Sequence, residues 1–84
     1  MQIFTKKQIG QELKNMVQQK KSIVVIGSWA YSMSLKNIED TDQNFNKLLL
    51  DLGTMELGPE FAYSYEELSN IADRIMAGED VILS

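Results

Sequence analysis

The sequence predicts an all-α fold, a compact four-helix domain. Three observations carry this. Two capping boxes open helices, each flanked by a hydrophobic staple; apolar residues recur at three- and four-residue spacing; and a Gly-Pro pair stops one helix ahead of the next. With 84 residues there is room for one domain, 1–84, and one core. An apolar fraction of 44% is enough to fill that core, so a disordered chain is not expected.

The first helix is expected near 5–20. Thr5-Lys6-Lys7-Gln8 has the capping-box form, Phe4 and Ile9 occupy the staple positions, and Ile9, Leu13, Met16 and Val17 fall on one face. Lys20 and Lys21 complement the negative end of the helix dipole. Gly10 weakens the helix by about 1 kcal/mol relative to alanine. Residues 1–4 are expected to extend or pack loosely.

The second helix is expected near 22–36. Ile23-Val24-Val25-Ile26 is β-branched and alone would read as a buried strand. Val25, Trp29 and Met33 repeat at four, as do Ile26 and Ala30, and Ser22 can cap a helix. A lone strand among helices would also leave its backbone groups unpaired. Helix is therefore the reading.

The third helix, near 41–57, carries Phe45, Leu48, Leu49, Leu52 and Met55 on one stripe. Leu50 and Leu57 fall off that stripe, so this helix is expected to bury two sides. Gly58 is placed to take a positive φ just past the helix end, and Pro59 cannot continue the helix. The fourth helix, near 64–77, opens on the capping box Ser64-Tyr65-Glu66-Glu67 with Tyr63 and Leu68 as the staple. It carries Leu68, Ile71, Ala72, Ile75 and Met76 on one face, and Gly78 ends it. Val81-Ile82-Leu83 can fold back on the core. Helices joined by short loops are expected to pack as antiparallel neighbours.

The chemistry is defined first by absences. The sequence has no histidine and no cysteine, which removes the commonest general base, the thiol nucleophile and the usual zinc ligands. Gly27 and Gly53 are isolated and form no phosphate loop. The reading is not an enzyme, with no cofactor and no metal. Asp40-Thr41-Asp42-Gln43-Asn44, with Asp51 at the twelfth position, resembles the front of a calcium loop. Phe45 stands where that loop needs glycine, so a polar helix start is preferred. Residues 23–33 are too short an apolar run, broken by serines, to span a bilayer. The expected setting is cytoplasmic, without membrane contact.

Charge is distributed unevenly. Residues 1–38 carry +5 and residues 39–84 carry −9, for a net −4. The lysines of the first half, Lys6, Lys7, Lys14, Lys20 and Lys21, could form a nucleic-acid face. They include no arginine, lie around the helix and belong to an acidic chain, so nucleic acid is an unfavoured alternative. In the second half Glu56, Glu60, Glu66, Glu67 and Asp73 interleave with Phe61, Tyr63 and Tyr65. Aromatic side chains among carboxylates suit docking onto a basic protein, the acids steering and the tyrosines anchoring. Glu56, Glu60, Tyr63, Tyr65, Glu66, Glu67 and Asp73 are therefore the candidate partner-binding residues. The competing reading makes them helix caps and solubilising surface.

Trp29-Ala30-Tyr31, the run Leu48 to Leu52, Met55-Glu56, Gly58-Pro59-Glu60-Phe61 and Ser64-Tyr65-Glu66-Glu67-Leu68 also resemble a group of small bacterial all-helical proteins. That group pairs a Trp-Ala helix with a Met-Glu-x-Gly-Pro-Glu-Phe turn, and the likeness covers residues 24–76. It implies an all-helical fold and brings no catalytic residues. The expected function is a small acidic interaction module, in its sharpest form an immunity-type inhibitor occluding a basic partner such as a nuclease toxin. The alternative is a homodimeric helical structural or regulatory protein.

Overall fold

A computed structural model of the chain describes residues 4–36, 38–39, 43–58, 62–79 and 81. It is an all-α domain of four helices: α1 (Lys6–Gln18), α2 (Ile23–Ser34), α3 (Gln43–Gly53) and α4 (Tyr65–Met76). A single turn of 3-10 helix, Thr54–Leu57, extends α3. Two-residue strands β1 (Phe4–Thr5) and β2 (Ile38–Glu39) pair in parallel, Phe4 opposite Ile38. This pairing ties the extended N-terminal residues to the α2–α3 connection.

The helix starts form as their sequences dictate. Thr5 Oγ1 accepts from the Gln8 backbone N–H at 3.1 Å, and Gln8 Oε1 accepts from the Thr5 N–H at 2.9 Å. Ser64 and Glu67 make the same reciprocal pair, both bonds at 3.1 Å. Ser22 Oγ accepts from the Val25 N–H and caps α2, so residues 23–26 are helix. The predicted third start near 41 and Pro59 lie outside the described residues.

The helix ends hold more surprises. Both α1 and α4 close in the Schellman pattern, with paired 3.0 Å bonds from Lys20 N–H to Val17 O and Lys21 N–H to Met16 O, and from Gly78 N–H to Ile75 O and Glu79 N–H to Arg74 O. That pattern requires a left-handed residue. Gly78 supplies it in α4 with φ 83°, whereas in α1 it is Lys20, with φ 56°. Gly58, expected to have this role, is extended at φ 165° and ψ 162°. The expected continuous third helix instead tightens to 3-10 at Thr54, whose hydroxyl donates to Asp51 O at 2.6 Å.

The close backbone packing falls into two pairs, α1 on α4 and α2 on α3 with its 3-10 turn. The helices α1 and α2, although joined by only residues 19–22, do not form the expected antiparallel hairpin. The left-handed turn at Lys20 leads the chain away, and α1 finds α4. Gly10 explains the preference: a Cβ there would stand 2.9 Å from Met76 Cγ, 3.0 Å from Ile75 Cγ2 and 3.1 Å from Ala72 O. The second pair meets through reciprocal glycines. Gly27 lies against the Leu52–Glu56 backbone, its Cβ position 3.0 Å from Glu56 N, and Gly53 lies against Tyr31.

Between the pairs sits one apolar core. Ile9, Leu13, Ile26, Leu48, Leu49, Leu52, Met55 and Leu68 are essentially inaccessible, and Val81 folds back onto them. Among the described residues it contains no buried charged side chain. Two expectations fail at its margin. Val25 is exposed, because α2 buries Ile26, Gly27, Ala30 and Met33 instead. Leu50 and Leu57 are exposed, so α3 and its 3-10 turn bury one side and leave the other to solvent.

Candidate functional site

The structure divides the predicted partner-binding set. Glu67 is committed to the capping box. Tyr65 donates from its hydroxyl to Lys21 O at 2.8 Å, and the Lys20 ammonium stands 5.6 Å from its ring centroid. Tyr65 therefore pins the α1 terminus to the start of α4. Asp73 pairs with Lys14 at 3.0 Å, and the same ammonium donates to Ser69 Oγ at 2.7 Å, which ties α4 to α1 a second time. Tyr63 is half-buried against the core; burial foremost, then the charges of Asp51 and Glu67, push its phenol above the ordinary value of 10. Glu66 is exposed in the first turn of α4. Glu60 and Phe61 lie outside the described residues.

Glu56 is different. It is exposed on the 3-10 turn, and its carboxylate makes no hydrogen bond or ion pair among the described residues. It also lines two adjoining grooves. The first, about 310 Å³, is walled by Ile23, Val24, Met55, Gly58 and Ala62. The second, about 290 Å³, is walled by Tyr31, Leu50, Gly53, Thr54 and Leu57. Both are open on one side; the first is almost wholly apolar and the second mostly so. Each matches the smallest of the usual ligand clefts and suits a single large side chain.

These grooves belong to a one-sided apolar surface. The large apolar side chains exposed among the described residues are Val24, Val25, Tyr31, Leu35, Leu50 and Leu57. All lie on α2, α3 or the residues that end them, and none lies on α1 or α4. Leu57 is 70% and Val24 57% exposed, values a lone surface leucine or valine can show; their grouping around two grooves is what distinguishes them. Sequence reasoning placed Val24 in a buried run and Leu50 and Leu57 on a second buried side. The available signal was α2 itself, which carries more large apolar side chains than the one face formed by Ile26, Gly27, Ala30 and Met33 can bury.

The basic face of α1 is partly consumed by the fold. Lys14 is paired with Asp73, Lys20 stacks on Tyr65, and the Lys6 ammonium stands 5.3 Å from the Phe45 ring centroid. Among the described residues no group of three or more potential ligands converges to hold a metal, and no helix is long and apolar enough to cross a membrane. No protein-family model, curated protein or solved structure matches the chain.

Proposed function

We propose that this protein is a non-enzymatic interaction module that binds another protein through the exposed apolar side of α2, α3 and the 3-10 turn. One observation carries the reading: an apolar double groove, with large side chains exposed around it, on one side of a molecule whose opposite helix pair exposes none. Burial of such a surface drives association without any chemistry from the chain. The absence of histidine and cysteine from the sequence agrees with this role. In its sharpest form the module is an immunity-type inhibitor covering a basic partner, with the net charge of −4 aiding encounter. Relative to the sequence-based expectation, the weight moves from the α4 acids to Glu56 and its apolar surroundings.

The test is affinity capture from the host cell with the wild type and a Val24→Asp/Leu57→Asp variant side by side. The expected result is a specific partner held by the wild type and lost from the variant, with the two proteins equal in thermal stability. A partner held equally by both overturns the reading, as does capture of none by a wild type that remains monomeric.

A further inference from the structure

The double groove has a spacing and a charge as well as an apolar lining, and together they describe its occupant. Val24 lines one groove and Tyr31 the other. They stand seven residues apart on α2, two turns, or about 10.5 Å along the axis. Glu56 lines both grooves, between those positions. Its carboxylate has no partner among the described residues. Its backbone is held against α2 by the close approach at Gly27, so the charge is fixed in register with the grooves.

A partner covering this surface must also answer the carboxylate, because burying an unpaired charge opposes binding. A second copy of this chain answers it poorly. No residue of α2 is charged, and Glu56 is the one charged residue of the 3-10 turn. Two copies meeting along α2 and the 3-10 turn would oppose Glu56 to an uncharged helix or to its own duplicate; a cation would come only from a contact that also drew in Lys47 of α3 or Lys36 beyond α2.

Resting on the interaction reading above, we infer that the occupant is an amphipathic helix of a partner protein lying along α2. It places large apolar side chains at positions i and i+7 in the two grooves and a lysine or arginine at i+3 or i+4 over Glu56. The seven-residue interval of the partner reproduces that between Val24 and Tyr31, and the cation falls on the same helical face. Arginine fits best, since its fork can meet a carboxylate in two parallel bonds.

A display library of helix-forming peptides, randomised along one face, tests this on the intact protein. The expected clones carry large apolar residues seven apart with lysine or arginine three or four after the first. They should bind Glu56→Gln about tenfold more weakly, the scale of a charge-assisted contact at a partly desolvated site. Glu56→Lys should select an acidic residue at the same place. Clones that bind this face without a basic residue, or ignore Glu56→Gln, overturn the inference and leave the interaction reading intact. If no clones emerge, or only clones indifferent to Val24→Asp and Leu57→Asp, both fail. A micromolar dimer abolished by Leu57→Asp would make a second copy the occupant and overturn the inference.

Discussion

Lys20 and Gly78 occupy equivalent positions at two helix ends, and the comparison isolates a backbone effect. A side chain pays about 1–2 kcal/mol in the left-handed region, and glycine does not. A Cβ at Gly78 would meet nothing within 4 Å, so only its φ opposes substitution. Gly78→Ala should lower stability by about 1 kcal/mol. Lys20→Gly should raise it by somewhat less than that, because it forfeits the contact with Tyr65. Urea denaturation of the two variants should show midpoint shifts of opposite sign. Tyr63 gives a second prediction at this scale. Its phenol titrates higher in the folded chain than in the unfolded chain, so well below pH 10 it adds no pH dependence. As pH rises through 10 the unfolded state loses its proton first and gains stability relative to the folded one. Urea midpoints should therefore fall between pH 9 and 11, and Tyr63→Phe should flatten part of that fall.

Elements were legible in the sequence where a local signal sufficed. The boxes at Thr5 and Ser64, the stripes Ile9-Leu13-Val17 and Leu68-Ile71-Ala72-Ile75, and the helical state of Ile23–Ile26 all follow from spacing and short-range hydrogen bonding. The glycines were not legible, because their reason lies in another element. Gly10 reads locally as a weak point in a helix, yet it is a point where α4 packs tightly against α1. The contacts a methyl group would meet rank the sites. At Gly10 the nearest atom is Met76 Cγ, on a flexible side chain, with Ile75 Cγ2 and the Ala72 carbonyl behind it; at Gly27 the two nearest atoms are both backbone, of Glu56 and Leu52. Gly27→Ala should cost about 1–3 kcal/mol, the range for overpacking. Gly10→Ala should cost less, since it recovers about 1 kcal/mol of helix propensity. Urea midpoints of the two variants give the order directly.

Across the whole molecule, the candidate site was hidden from sequence for a related reason. A helix as apolar as α2 reads as buried, and Ser28 and Ser32 mark one polar strip without saying that Val24 and Tyr31 also lack a neighbour. Exposure separates the leucines. Leu49→Ala should cost about 2–5 kcal/mol, as in other well-packed cores, whereas Leu57→Ser and Leu35→Ser should each change stability by less than about 0.5 kcal/mol. Thermal unfolding of the three variants would show whether the apolar side of α2 and α3 serves the fold or is held for something outside it.

The pairing of α1 with α4 sets the order in which such a chain can assemble. The loop it closes spans nearly the entire described chain, while α2, α3 and the 3-10 turn contact one another locally. Chain closure over long separations is slow, and synthesis on the ribosome delivers α4 last. The α2–α3 pair can therefore form first, and α1 must wait for α4. Before α1 and α4 close on it, the α2–α3 pair shows apolar surface on two sides: the core side that the other two helices will cover, and the side that the finished protein leaves open.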